Sequence, residues 1–217
     1  MTRSVIPLRR AVRPVRRDSM LDLIQIFEPD RQVIVVNRPR IPVVDAYLKA
    51  IAARLGSGFR YAMKADERFP AHLLPEHPER MAFAADIDFL IEIFCDLLGC
   101  PQVGVRLEVM QHAMCPRFHI DHTGIRLLCT YRGPGTEWLE DSCADRSKLG
   151  PASAGIEDEA SGIILDPAGI HRIAPYAITL LKGTRWQGNS GRGVIHRSPQ
   201  VPMNSGPRIM LALDGLW

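Results

Sequence analysis

Residues 115–124, CPRFHIDHTG, place two histidines, an aspartate and a cysteine within ten positions. In an extended stretch, residues two apart share a face. His119 and Asp121 then project together with Arg117 beside them, while Phe118, Ile120 and His122 turn the other way. An imidazole and a carboxylate on one strand are two thirds of a two-histidine, one-carboxylate facial triad, which leaves open positions on a non-haem ferrous ion. H-x-D alone suits equally well two polar residues hydrogen-bonded in the mouth of a barrel. A third ligand must come from elsewhere, and His196 in GVIHRSP, between an apolar run and a turn, is the best placed. His72 and His77 lie in a proline-rich segment, His112 ends a strand, and His171 follows DPAG in a turn. These four read as surface or capping positions.

Arg208 follows His196 by twelve residues and opens the apolar run RIMLALD, sharing a face with Met210 and Ala212. A guanidinium entering such a strand is costly unless it is paired. The partner is either an internal acid or a carboxylate ligand gripped through two hydrogen bonds. A different chemistry is also open: Cys115, His119, Asp121 and His196 would make a tetrahedral Zn2+ site, which leaves Arg208 without a purpose.

The elements that must position these residues are mostly strands. QVIVVNR (32–38) reads as a strand, and PVVDAYLKAIAARLG (42–56) as a helix opened by Pro42 and stopped at Gly56. Residues 57–78 look irregular, and a second helix runs from Pro78 to Gly99 with Phe83, Ile87, Leu90, Ile91, Phe94 and Leu98 on one face. From residue 101 the pattern changes to short strand-like runs at 103–111, 117–121, 125–131, 136–139, 162–165, 177–183, 193–197 and 208–214. This predicts a mainly β fold with a helical buttress (α+β), a jelly-roll barrel preceded by two or more helices. The expected divisions are an Arg-rich disordered tail at 1–20, a helical buttress with one strand at 21–100, and a β core at 101–217. The core is interrupted by a long polar loop at 140–161.

Charge narrows the function. Residues 1–20 hold six arginines against one acid, so the remainder of the 217-residue chain is close to neutral. No basic face for nucleic acid is expected. The longest apolar region, MAFAADIDFLIEIFCDLLG, carries Asp86, Asp88, Glu92 and Asp96 and reads as an amphipathic helix without membrane association. Five cysteines with no C-x-x-C pair and no secretory signal imply reduced thiols and a cytoplasmic location.

His119-x-Asp121, the distal His196 and the later Arg208 together resemble the Fe(II)/2-oxoglutarate-dependent dioxygenases of the double-stranded β-helix fold. RLLCTYRGPGTEWL (126–139) is similar to the segment after H-x-D in the prolyl-hydroxylase-like branch. CPRFHIDH, TYRGPGTEWL, LKG and HRSP are similar to a bacterial domain-of-unknown-function family spanning nearly the whole chain, with a link to zinc homeostasis. The dioxygenase resemblance implies Fe(II) held by His119, Asp121 and His196, with Arg208 on the distal carboxylate of 2-oxoglutarate. It implies oxidative decarboxylation coupled to hydroxylation of a small-molecule or protein substrate. The chain departs from the pattern at Met210, where many members carry Ser or Thr. Lys182 is therefore the runner-up anchor, with Thr130 or Tyr131 to donate the missing hydrogen bond. The alternative is a zinc-binding, cupin-like module without redox activity.

Overall fold

The computed structural model describes residues 19–153 and 155–217, so the Arg-rich tail lies almost wholly outside the described residues. A 3-10 helix, Met20–Phe27, opens the described chain under a Ser19/Asp22 capping box. Two helices follow the sequence pattern. α1 (Pro42–Ile51) starts on Pro42, and α2 (Arg80–Leu98) ends where Gly99 takes φ 64°. A short helix, α3 (Asp158–Ser161), lies at the end of the long loop.

Among the described residues, nine strands form two sheets. The larger contains β1 (Val33–Val36), β2 (Gly58–Lys64), β3 (Gln102–Met110), β4 (Ile125–Arg132), β7 (Ile178–Lys182) and β9 (Arg208–Leu216), in the order β1-β7-β4-β9-β3-β2. The smaller contains β5 (Glu137–Leu139), β6 (Ile170–Arg172) and β8 (Ile195–Arg197), in the order β6-β5-β8. Every pairing among these strands is antiparallel. The result is a mixed helix–sheet fold with few helices.

Strand periodicity sorts the larger sheet's two faces. Val103, Leu127, Leu180, Leu211 and Leu213 join Phe83, Ile87, Leu90 and Phe94 of α2 in one core. Their neighbours Leu128, Leu181 and Ala212 turn the other way and form a second cluster with Val194, against which Trp138 and Met210 pack. A third cluster, Phe118, Leu139, Ile163 and Ile195, includes β5, β8 and the end of the long loop.

The structure corrects several sequence expectations. Residues 58–64 form β2, whose middle is exposed at the sheet edge and so lacks the apolar alternation that marks a strand. The expected strand at 117–121 is reduced to one bridge, His119 to His196, and that at 162–165 to one bridge, Ile164 to Ala144. His171 sits within β6 rather than in a turn, opposite Trp138 and stacked on its ring at 4.5 Å.

Candidate metal centre

His119 and His196 face each other across that single bridge, joined by backbone hydrogen bonds of 3.0 and 2.9 Å in the two directions. Their ring centroids are 4.5 Å apart. Each ring is oriented by its own backbone. His119 Nδ1 lies 2.9 Å from the Arg117 carbonyl, and His196 Nδ1 lies 3.0 Å from the Val194 carbonyl. A carbonyl only accepts, so both Nδ1 atoms donate to the backbone, and it is Nε2 that each ring turns toward Asp121.

Asp121 closes the triangle. Its Oδ1 lies 3.7 Å from His119 Nε2 and its Oδ2 lies 3.5 Å from His196 Nε2. One ligand atom from each of the three residues falls within 4.8 Å of the others, and no other such group of His, Cys, Asp or Glu occurs among the described residues. Burial pushes the His119 imidazole below its ordinary value, and the neighbouring His196 adds to this, so the ring is neutral and able to ligate near pH 7. For Asp121, burial works to raise the carboxyl, but His196, Arg126 and His119 outweigh it and hold it well below the carboxylate range.

Arg126 was not singled out by its sequence position, yet it donates through NH1 to Asp121 Oδ2. Its Nε and NH2 donate to the two oxygens of Asp214 at 2.8 and 3.0 Å. Arg106 NH2 adds a bond of 3.3 Å to the same Asp214. Residues 126 and 214 are direct cross-strand partners on β4 and β9, a pairing that depends on register and leaves no local mark in the sequence.

Arg208 is fully buried at the start of β9. Its Nε donates to the Pro134 carbonyl at 2.8 Å, and NH2 donates to Thr136 Oγ1 at 2.9 Å and Thr130 Oγ1 at 3.2 Å. The GPGT turn makes this approach possible. Gly133 adopts φ 78°, and a Cβ there would lie 3.0 Å from Arg208 Cα. Burial alone holds the guanidinium down at about 10, because no carboxylate among the described residues pairs with it. The other well-buried arginines all face acids: Arg38 meets Asp86, Arg126 meets Asp121 and Asp214, and Arg197 meets Glu137 and Asp158.

Two expected anchors lie on the opposite face of the sheet. Lys182 donates to the Glu28 carbonyl at 2.8 Å, beside the first helix. Tyr131 donates to Asp86 of α2 at 2.6 Å within the helix-side core. Thr130 does face the site, through Arg208. Arg117 also departs from the expected face, its Nε lying 3.7 Å from Asp158 Oδ1. Cys115 is exposed and lines the same cavity as the triad, but its sulfur is outside the clustered ligand atoms. The cavity measures about 220 Å3, and Arg106, Glu108, Met114, Thr136 and Met210 complete much of its wall.

The family described as protein of unknown function (DUF1826) matches residues 17–214. The chain belongs to this family. No curated protein matches this DUF1826 chain. Among solved structures, it resembles the 2-oxoglutarate complex of AtDAO1, dioxygenase for auxin oxidation 1 from Arabidopsis thaliana. The TM-score is 0.50 and the identity 12%, over 89% of this chain and 86% of that one. The rice dioxygenase for auxin oxidation aligns at TM-score 0.47 and 17% identity, covering 91% and 77% of the two chains. A Pseudomonas putida prolyl-4-hydroxylase aligns at 0.46 and 12%, covering 95% and 96%. At these identities the likeness to AtDAO1 is one of fold. No described helix of the DUF1826 chain is long and apolar enough to cross a membrane.

Proposed function

We propose that this protein is an Fe(II)- and 2-oxoglutarate-dependent oxygenase, with its two sheets closing as a double-stranded β-helix, or jelly roll, around the site. The observation that carries the reading is the guanidinium of Arg208, fully buried with no acidic partner, behind Thr136 and Met210 in the wall of the cavity that holds the three-ligand cluster. A buried cation of this kind calls for an anion, and a carboxylate accepts its hydrogen bonds best.

The triad fits a ferrous ion. Two imidazole nitrogens and one carboxylate oxygen suit iron at a site with open positions, and both Nε2 atoms are freed by their partners at Nδ1. When bound with 2-oxoglutarate and O2, the metal would supply the oxidation that converts a C–H bond to C–OH, with succinate and CO2 as co-products.

The chain's own residues do the rest. His119, Asp121 and His196 fix the ion from one side, and Arg126 holds Asp121 in place. Arg208, steadied by Pro134, Thr130 and Thr136, takes the distal carboxylate of the 2-oxo acid. Leu128, Leu181, Val194, Ala212 and Trp138 exclude water from beneath the site. The substrate, a small molecule or a protein side chain, approaches from the side of Arg106, Glu108, Met114 and Cys115.

The test is an anaerobic titration of metal-free protein with Fe(II), followed by 2-oxoglutarate. A visible charge-transfer band is expected, absent in His119→Ala and weakened in Arg208→Ala. No band, together with stoichiometric Zn2+ binding that depends on Cys115, would replace the oxygenase with a zinc module.

A further inference from the structure

The segment bearing His119 and Asp121 lies outside the named strands and is tied to the fold by individual backbone hydrogen bonds. Beyond the His119–His196 bridge, its backbone is held to neighbouring segments by Ser198 N–H to the Cys115 carbonyl and by Thr184, Arg185 and Gly183 N–H to the Asp121, Thr123 and Gly124 carbonyls, at 2.9, 2.9, 2.9 and 2.7 Å. The donor atoms of a metal site must nonetheless be held to within about 0.5 Å of productive geometry. The bridge sets the spacing of the two histidine backbones, and a second tie between their flanking residues would stiffen it.

Asp158 is placed to do so. It opens α3, arrives from the long loop, and is almost fully buried. A single oxygen, Oδ2, accepts from the Phe118 N–H at 2.7 Å and from Arg197 NH1 at 3.0 Å. Phe118 directly precedes the ligand His119, and Arg197 directly follows the ligand His196. The Arg197 guanidinium also lies over the Phe118 ring, 4.3 Å from its centroid. Burying a carboxylate costs several kcal/mol unless it is well satisfied, so its presence here calls for a purpose. A cavity of about 640 Å3 lies between Gly155–Glu159 and the residues Arg117, Glu137, Arg172 and Arg197. The 155–159 end of the loop is therefore held here by polar contacts, while Cys143, Ala144 and Leu149 pack its earlier part onto the cluster of Phe118, Leu139, Ile163 and Ile195.

We infer that Asp158 is a positioning residue that clamps together the residues flanking the two metal-binding histidines, coupling the docking of loop 140–161 to metal occupancy. This rests on the assignment of His119, Asp121 and His196 as metal ligands, and not on the identity of any cosubstrate. Because coupling is reciprocal, metal must stabilise the docked loop as much as the docked loop strengthens metal binding.

The experiment uses Co(II) as the probe on full-length protein, reading affinity from its visible spectrum and loop docking from tryptic cleavage at Arg146 and Lys148. Asp158→Ala is expected to weaken Co(II) by roughly 10–100-fold, the usual effect of losing a group that orients ligands. Asp158→Asn keeps an acceptor for the Phe118 N–H and should fall between, and it serves alone if Asp158→Ala does not fold. Co(II) should slow loop cleavage in the wild type but not in Asp158→Ala. Variants with a lower melting temperature but wild-type Co(II) affinity would overturn the proposal, leaving Asp158 purely structural. So would Co(II) that leaves wild-type cleavage unchanged, or a wild type that takes up no Co(II). Asp158-dependent Co(II) binding without any Fe(II)–2-oxoglutarate band would instead reject the oxygenase and keep this inference.

Discussion

Arg126 and Asp214 face each other across β4 and β9, two of the guanidinium nitrogens on two carboxylate oxygens, with the third nitrogen left to reach the ligand Asp121. Asp214 thus aims Arg126, and Arg126 aims the carboxylate of the candidate metal cluster. Replacing Arg126 by Ala should weaken metal binding by roughly 10–100-fold, as for other partners that orient ligands. A metal-dependent absorbance titration checks this. Wild-type affinity in the variant would show that Asp121 holds its orientation unaided.

The two anchors named from sequence give opposite expectations. Arg208→Met removes a buried, unpaired cation for an apolar chain of similar length, so metal-free stability should change little or rise. Binding of 2-oxoglutarate should fall about 100-fold, the value of two charge-assisted hydrogen bonds at about 1.5 kcal/mol each. Lys182→Met should leave cosubstrate binding unchanged and cost about 1 kcal/mol from the lost bond to Glu28. Calorimetric titration and denaturant midpoints for both proteins separate the two roles.

Acid should loosen the metal-free protein in two stages. His119 has a folded value below its ordinary 6.5, so below about pH 6.5 the unfolded chain takes up a proton that the native ring refuses. Its contribution is complete above that pH and declines as pH falls toward the folded value. Asp121 is also depressed, from 3.8, so its contribution is complete above that value and is lost only in stronger acid. Melting temperatures of wild type and His119→Gln between pH 8 and 5 should converge as pH falls. Parallel curves would remove His119 from the account.

Gly135→Ala should destabilise the fold by about 3 kcal/mol or more, because the new Cβ would lie 1.8 Å from the Ile173 carbonyl oxygen and only backbone movement can relieve it. The displaced turn carries Pro134 and Thr136, so cosubstrate affinity should fall with stability. A urea midpoint and a binding titration on the folded fraction measure both.

The three metal-binding candidates were legible because period-two spacing pairs His119 with Asp121, and because GVIHR signals a strand that could bring in His196. The sequence offers both Thr130 and Tyr131 as donors, although adjacent strand residues face opposite ways and only one of the two can reach the site. The structure puts Thr130 on Arg208 and Tyr131 on Asp86. Arg126, Asp214 and Asp158 were not legible. Their roles depend on which strands become neighbours, and on a carboxylate 40 positions away from the amide that it caps. The edge strand β2 escaped for a related reason: with its middle in solvent, its residues were not constrained to alternate.

The order of the larger sheet has a consequence for biosynthesis. β9 lies in the middle, between β4 and β3, but it is translated after every strand it joins. Without it, β1, β7 and β4 on one side and β3 and β2 on the other have no strand joining them, and each set has an unpaired inner edge. Arg208 and Asp214 also arrive only with this strand, so the buried guanidinium behind the cavity and the carboxylate that holds Arg126 appear together. Before its last described strand is in place, the chain lacks the Asp214 contact that aims Arg126 at Asp121, and its two inner strand edges are open to pairing with other chains.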